Sequence, residues 1–135
     1  MSKKYPCLRN FLRLLIFLGA MSHTTLFAAD TETTYIRVTL GDYSYMPHEI
    51  KVKAGKPVVL QLVNTDLITP HNFILPDPEF GLDTNVDIPA GTTVEVQLNP
   101  QWPGSFTFYC DKRLPLMKSH REKGMEGKLI VEPSE

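Results

Sequence analysis

The stretch from Gly104 to Glu132, GSFTFYCDKRLPLMKSHREKGMEGKLIVE, gathers one thiol, one imidazole and one thioether: Cys110, His120 and Met125. A second imidazole, His71, stands much earlier, in PHNF at the start of an apolar run. With a leader of residues 1–29 set aside, the chain keeps three histidines (His48, His71, His120), three methionines (Met46, Met117, Met125) and one cysteine. A lone cysteine cannot close an internal disulfide. It is a packed thiol, an intermolecular partner, a reactive group or a metal ligand. A thiolate with two imidazoles and a weak thioether is the donor set of an electron-transfer copper site. Zinc accepts the thiolate and imidazoles but finds a thioether a poor ligand. The candidate ligands of a single copper ion are therefore His71, Cys110, His120 and Met125. Met117 is the rival thioether. His48, in MPHEIKV at the entrance to an early strand, is the rival imidazole and is expected at the surface.

Such a set works only if a rigid frame holds it, and the text from Thr34 onward reads as strand after strand. TYIRVTL sets Ile36, Val38 and Leu40 against Tyr35, Arg37 and Thr39, the period-two pattern of a half-buried strand. EIKVKAG repeats the pattern, KPVVLQLVN is longer and more apolar, and HNFILP, TTVEVQLNP, GSFTFYC and GKLIVE follow. Turn residues punctuate the gaps in GDYS, AGKP, PDPEFG, PAGT and NPQWPG. The expectation is one all-β domain over 30–135, a Greek-key β-sandwich. Cys110 would end the penultimate strand, and His120 and Met125 would sit in the loop before the last. Helical character is confined to PLMKSHREKG (Pro115–Gly124), which predicts a short helical turn in the Cys–His loop. Phe106, Phe108 and Trp102 are expected to pack in the core and loops, and Tyr43 and Tyr45 read as strand aromatics.

The first residues order themselves as a secretory leader: Lys3, Lys4, Arg9 and Arg13, then the apolar LLIFLGAM, then small residues before Asp30. The apolar run is too short to span a bilayer. A signal peptide over 1–29 predicts a periplasmic, exported protein with no membrane segment after cleavage. Its removal leaves ten basic and fifteen acidic residues, a net charge of −5. An acidic chain without a recognised motif excludes nucleic-acid binding. Six of the ten remaining basic residues (Lys112, Arg113, Lys118, Arg121, Lys123, Lys128) crowd into 112–128, a candidate rim for steering an anionic partner.

Over residues 34–133 the sequence resembles the small blue copper proteins, or cupredoxins, in YMPHEIKVKAGKPVVLQLVN, PHNF, AGTTVEV and GSFTFYC…H…GMEGKLIV. The resemblance implies that His71-Asn72 supplies the first ligand and that Tyr109-Cys110 supplies the thiolate. His120 and Met125, ahead of Gly127, would supply the rest, and Asn72 would brace the thiolate loop. One departure stands out. Only a few residues separate the cysteine from the next histidine in those relatives, whereas nine, DKRLPLMKS, do so here. Closing a slightly longer loop costs only a fraction of a kcal/mol, so the expected effect is on geometry. A longer loop would lengthen the axial bond, admit water or shift the potential. The expected function is one-electron transport between larger redox proteins by a monomer, His120 being the electron entry point. The alternative is periplasmic copper sequestration or delivery among copper-handling proteins. No enzymatic activity is expected, because multicopper oxidation requires further histidine pairs and a binuclear centre requires a second cysteine.

Overall fold

The computed structural model describes residues 32–134; the leader expected over 1–29 lies outside them. Nine strands follow in order: β1 (Thr34–Gly41), β2 (Ser44–Met46), β3 (Glu49–Lys53), β4 (Val58–Asn64), β5 (His71–Asp77), β6 (Leu82–Ile88), β7 (Thr93–Leu98), β8 (Gly104–Tyr109) and β9 (Glu126–Glu132). One sheet has the order β2-β1-β4-β7, the other β3-β9-β8-β5-β6. β1 runs parallel to β4 and β3 parallel to β9; the remaining neighbours are antiparallel. The all-β sandwich read from the alternation is the observed architecture.

Alternation becomes burial in the way the sequence anticipates. In β1 Val38 and Leu40 are fully buried while Tyr35 and Arg37 stay exposed. β4, flanked by β1 and β7, buries Val58, Val59, Leu60, Leu62 and Asn64, which explains its longer apolar text. Across the sandwich, Phe106 and Phe108 of β8 face inward beside Leu129 and Val131 of β9. Each fully buried residue of this size stabilises the fold by about 1.5–3 kcal/mol. Trp102 is largely exposed in its loop.

Three aromatic rings form the part of the core nearest the candidate ligands. Phe73 and Phe108 stack with centroids 4.9 Å apart. Tyr45 meets both edge-on, at 5.0 Å from Phe108 and 6.2 Å from Phe73. Its buried hydroxyl donates to the Asn72 carbonyl (2.5 Å), so the polar end of the ring is satisfied and ties β2 to the start of β5.

Two strands were not foreseen. GDYS is a turn, as read, but a tight hairpin turn with Asp42 and Tyr43 at φ 48 and 55, and it returns the chain into the short β2. Tyr43 therefore lies in the turn rather than in a strand. LDTNVDI is β6, whose polar alternate residues face solvent. The helical turn expected over Pro115–Gly124 narrows to a 3-10 turn at Arg121–Lys123, after His120 rather than before it. Leu116, at φ 62, is incompatible with a helix through the earlier part.

Gly127 packs without room for a side chain. A Cβ there would overlap the His48 carbonyl oxygen and the Phe108 ring, because β9 crosses both at close range. Gly127→Ala should destabilise the protein by about 1–3 kcal/mol, measured as a lower urea midpoint at unchanged slope. An unchanged midpoint would show that the aromatic core yields freely.

Candidate metal centre

His71 and Cys110 are fully buried and His120 is 6% exposed. Their donor atoms converge: His71 Nδ1 and His120 Nδ1 are 3.1 Å apart, and Cys110 Sγ lies 3.4 Å from His120 Nδ1 and 3.9 Å from His71 Nδ1. A circle through these three atoms has a radius of about 2.0 Å, the length of a metal–imidazole bond and slightly short of a metal–thiolate bond of about 2.3 Å. The donors thus stand at the separations one small metal ion requires. This is the one group of three or more such donors among the described residues. His71, Cys110, His120 and Met125 together form a potential site for a single copper ion.

Each donor is held by its own local device. His71 begins β5, and its Nε2–H donates to the Asp66 carboxylate at 2.8 Å. A carboxylate can only accept, so Nδ1 of neutral His71 keeps its lone pair facing the other donors. Cys110 follows β8. Its sulfur accepts the Asn72 main-chain N–H at 3.4 Å, and its own N–H donates to the Met125 carbonyl at 3.1 Å. The Asn72 side chain clasps the next residue twice: its Nδ2 donates to Asp111 Oδ1 (2.8 Å) and its Oδ1 accepts the Asp111 N–H (3.1 Å). Asn72 thus braces the thiolate through both main chain and side chain.

The nine residues between Cys110 and His120 do not keep the ligands apart. The Lys112 carbonyl accepts the His120 N–H at 2.8 Å, so residues 113–119 loop out and return to within one residue pair of their departure. His120 then enters a turn held by a reciprocal pair: Ser119 N–H donates to Glu122 Oε2 (2.7 Å), and Glu122 N–H donates to Ser119 Oγ (3.2 Å). The Met125 N–H donates to the His120 carbonyl at 2.9 Å, which links the last two candidates through their main chains. Met125 is fully buried, whereas Met117 is half exposed and lines a cleft outside His120. His48 lies exposed at the surface, away from the donors.

Two residues near the site escaped the sequence reading. Asp66 gave no signal beyond a carboxylate five residues before a candidate ligand. Tyr43 packs edge-on against the His120 ring at 4.8 Å, with Lys123 Nζ over its ring at 3.9 Å from the centroid, and it comes from a turn of the opposite sheet. The Ser119-x-x-Glu122 pattern was legible but went unread.

Burial pushes the Cys110 thiol pKa up, against the pull of the Asn72 and Lys112 main-chain amides. It pushes the Tyr45 phenol up as well, and it lowers His120, which His71 and Lys123 lower further. These three shifts all favour the neutral form. The folded chain holds the thiol and phenol protons more tightly than the unfolded chain, so this stability is present below about pH 8.5 and lost as pH rises. His120 takes up a proton less readily when folded, so its contribution is complete above about pH 6.5 and lost as pH falls. Metal-free protein should accordingly resist urea best between about pH 6.5 and 8.5, and Cys110→Ser should flatten the alkaline limb. A urea midpoint constant across that range and beyond it would contradict these environments.

The chain matches the family model described as a cupredoxin-like domain over residues 11–131. A search of curated proteins by sequence finds no match. Among solved structures, auracyanin from Roseiflexus castenholzii is similar with a TM-score of 0.60 at 20% identity, covering 74% of this chain and 98% of its own. Auracyanin A from Chloroflexus aurantiacus gives 0.57 at 22% identity, with 75% and 100% covered. The metal-binding domain of a Cu(I)-exporting P-type ATPase of Streptococcus pneumoniae, with Cu(I), gives 0.56 at 16% identity, with 76% and 97% covered. With the family model spanning most of the chain and the sandwich matching in three dimensions, this protein belongs to the cupredoxin-like family.

Proposed function

We propose that the protein is an exported, periplasmic monomer that carries one electron at a time, holding a single copper ion between His71, Cys110 and His120 with Met125 as the weak axial donor. The observation that carries this reading is the convergence of one buried thiol and two buried imidazole nitrogens at single-ion separations. The likeness to auracyanin A, a blue copper protein, supports it. Copper, when bound, supplies the Cu(I)/Cu(II) couple. The chain's own part is to keep the donors from moving. The Asn72 clasp fixes Cys110, the Lys112–His120 hydrogen bond fixes His120, and the sandwich fixes His71. His120 is the outermost of the three and the one of them that lines the cleft, which favours it as the electron entry point. No catalysis is included in this reading, since His48 is the remaining described histidine and lies apart from the site. Copper-loaded protein should show an intense visible thiolate-to-copper band, lost in Cys110→Ser, and a Cu(II) EPR signal of small copper hyperfine splitting that widens in the same variant. Stoichiometric copper without the band would overturn the reading.

The partner surface belongs to the same end. Leu114, Leu116 and Met117 are exposed together with Leu67 and Ile68, amid Lys112, Arg113, Lys118, Arg121 and Lys123. An apolar patch with a basic rim suits docking on an acidic redox protein, the apolar residues supplying contact and the charges supplying steering. At low ionic strength, hexacyanoferrate(II) should reduce the loaded protein faster than a cationic reagent of matched driving force. Salt should narrow the difference, and charge reversal at Arg113 and Lys118 together should remove it. Stopped-flow rates indifferent to salt and to the double variant would exclude the rim from partner capture.

Copper handling is the second reading, with copper-handling proteins as partners. The open cleft at His120, with the Met117 thioether on its wall, favours it, as does the likeness to the Cu(I)-bound exporter domain. Deletion of the gene would then give copper-sensitive growth with respiration intact, whereas electron carriage predicts a respiratory defect without copper sensitivity.

A further inference from the structure

Asp66 is held in place by hydrogen bonds from Asn64 and Thr65 that fix the turn after β4. Asn64, 2% exposed at the end of β4, turns its amide against the chain that follows: Nδ2 donates to the carbonyls of Thr69 (2.9 Å) and Ile88 (3.1 Å), while Oδ1 accepts the Asp66 N–H (3.0 Å). This side chain stands in for a strand partner and folds the 64–69 segment into a fixed turn. Thr65 secures the turn from the other side, its N–H and hydroxyl both donating to the Leu40 carbonyl at 2.9 and 3.1 Å. Gly41 lets the turn come this close, because a Cβ there would lie 2.7 Å from Thr65 Oγ1 and 3.2 Å from Asp66 Oδ1. The Asp66 carboxylate is then divided between two donors. Oδ1 accepts the Asp42 N–H (3.4 Å) and Oδ2 accepts His71 Nε2–H (2.8 Å).

We propose that Asp66 is a positioning and tuning residue for the metal, setting the tautomer and ring orientation of His71 and placing negative charge behind that ligand. The proposal rests on the assignment of His71 as a copper ligand. A ligand imidazole whose far N–H meets a carboxylate becomes a better electron donor, and loss of such a partner lowers metal affinity about 10–100-fold. The added negative charge stabilises Cu(II) more than Cu(I), so Asp66 holds the reduction potential down. His120 has no such carboxylate among the described hydrogen bonds. The two imidazoles of the site are therefore unequal in donor strength, His71 being the stronger.

Three variants of the full chain separate the possibilities. Asp66→Ala removes acceptor and charge, Asp66→Asn keeps an acceptor without charge, and Gly41→Ala crowds Thr65 Oγ1 and Asp66 Oδ1 and so displaces the turn while the carboxylate itself remains. Competition titrations with Cu(II) and Cu(I) chelators, voltammetry and ring-nitrogen NMR of His71 are the readouts, the last on metal-free and Zn(II)-loaded protein at mildly alkaline pH. Asp66→Ala should weaken Cu(II) binding about 10–100-fold, with a smaller loss for Cu(I). Each tenfold difference between the two losses raises the potential by about 59 mV. Asp66→Asn should fall between, and Gly41→Ala should shift in the same direction as Asp66→Ala. Wild-type NMR should show a protonated Nε2 on His71, and Asp66→Ala should lose that preference. Equal losses of Cu(I) and Cu(II) affinity, or an unchanged potential, would reduce Asp66 to scaffolding and overturn the proposal. A protonated Nδ1 on wild-type His71 would overturn it as well, on metal-free protein alone. Wild-type protein that takes up no copper would instead overturn the assignment of the metal site.

Discussion

The metal end depends on how β5 and β8 part company. These strands pair at Ile74 and Tyr109, and beyond that point the ladder does not continue to the rim. Had it continued, His71 and Cys110 would have been ordinary neighbours in a sheet, their side chains governed by the pleat. Instead the side chain of Asn72 replaces the missing ladder, bonding the Asp111 main chain and carboxylate at 3.1 and 2.8 Å. Its main-chain N–H turns to the sulfur. The two strand ends are thereby fastened together, and the buried His71 imidazole and Cys110 thiol meet His120 beside them. Tyr45 supports the clasp from below, where its hydroxyl meets the Asn72 carbonyl while its ring packs on Phe73 and Phe108. Polar fastening above and aromatic packing below share one residue.

The other half of the site is built by a different device. His120 reaches Cys110 through a local return, the Lys112 carbonyl taking its N–H, followed by the Ser119–Glu122 pair and the turn that buries Met125. Two segments distant in sequence supply the rigid wall, and one short segment folds on itself to supply the remainder. Desolvation works on both. It favours the neutral thiol and the neutral His120 imidazole in the metal-free protein, so ligation by Cys110 releases the thiol proton whereas His120 has no charge to shed.

Much of this was legible in the sequence, for identifiable reasons. Alternation gave β1, β3, β7, β8 and β9 because each has one face in the core. The types and order of His71, Cys110, His120 and Met125 named the chemistry because few donor sets combine thiolate, imidazole and thioether. β6 was missed because three acidic or amide residues on its solvent face, Asp83, Asn85 and Asp87, mask the inward Leu82 and Ile88. β2 was missed because three residues are too few to show a period. Asp66 and Tyr43 reach the site through turns from the opposite sheet, and side-chain hydrogen bonds such as those of Asn64 leave no periodic trace. The loop of nine residues was read as a source of distortion from its length alone. A single main-chain hydrogen bond closes that loop, so its length does not by itself separate Cys110 from His120.

That hydrogen bond has an evolutionary consequence. Residues 113–118 leave and rejoin the fold near one point, ahead of the Ser119–Glu122 pair, so their composition and length can change without moving that closure. A lineage could exchange the exposed leucines and lysines there for other contact residues while the ligand geometry stayed as it was. On the proposed docking role of that face, partner choice and metal chemistry become separately heritable traits.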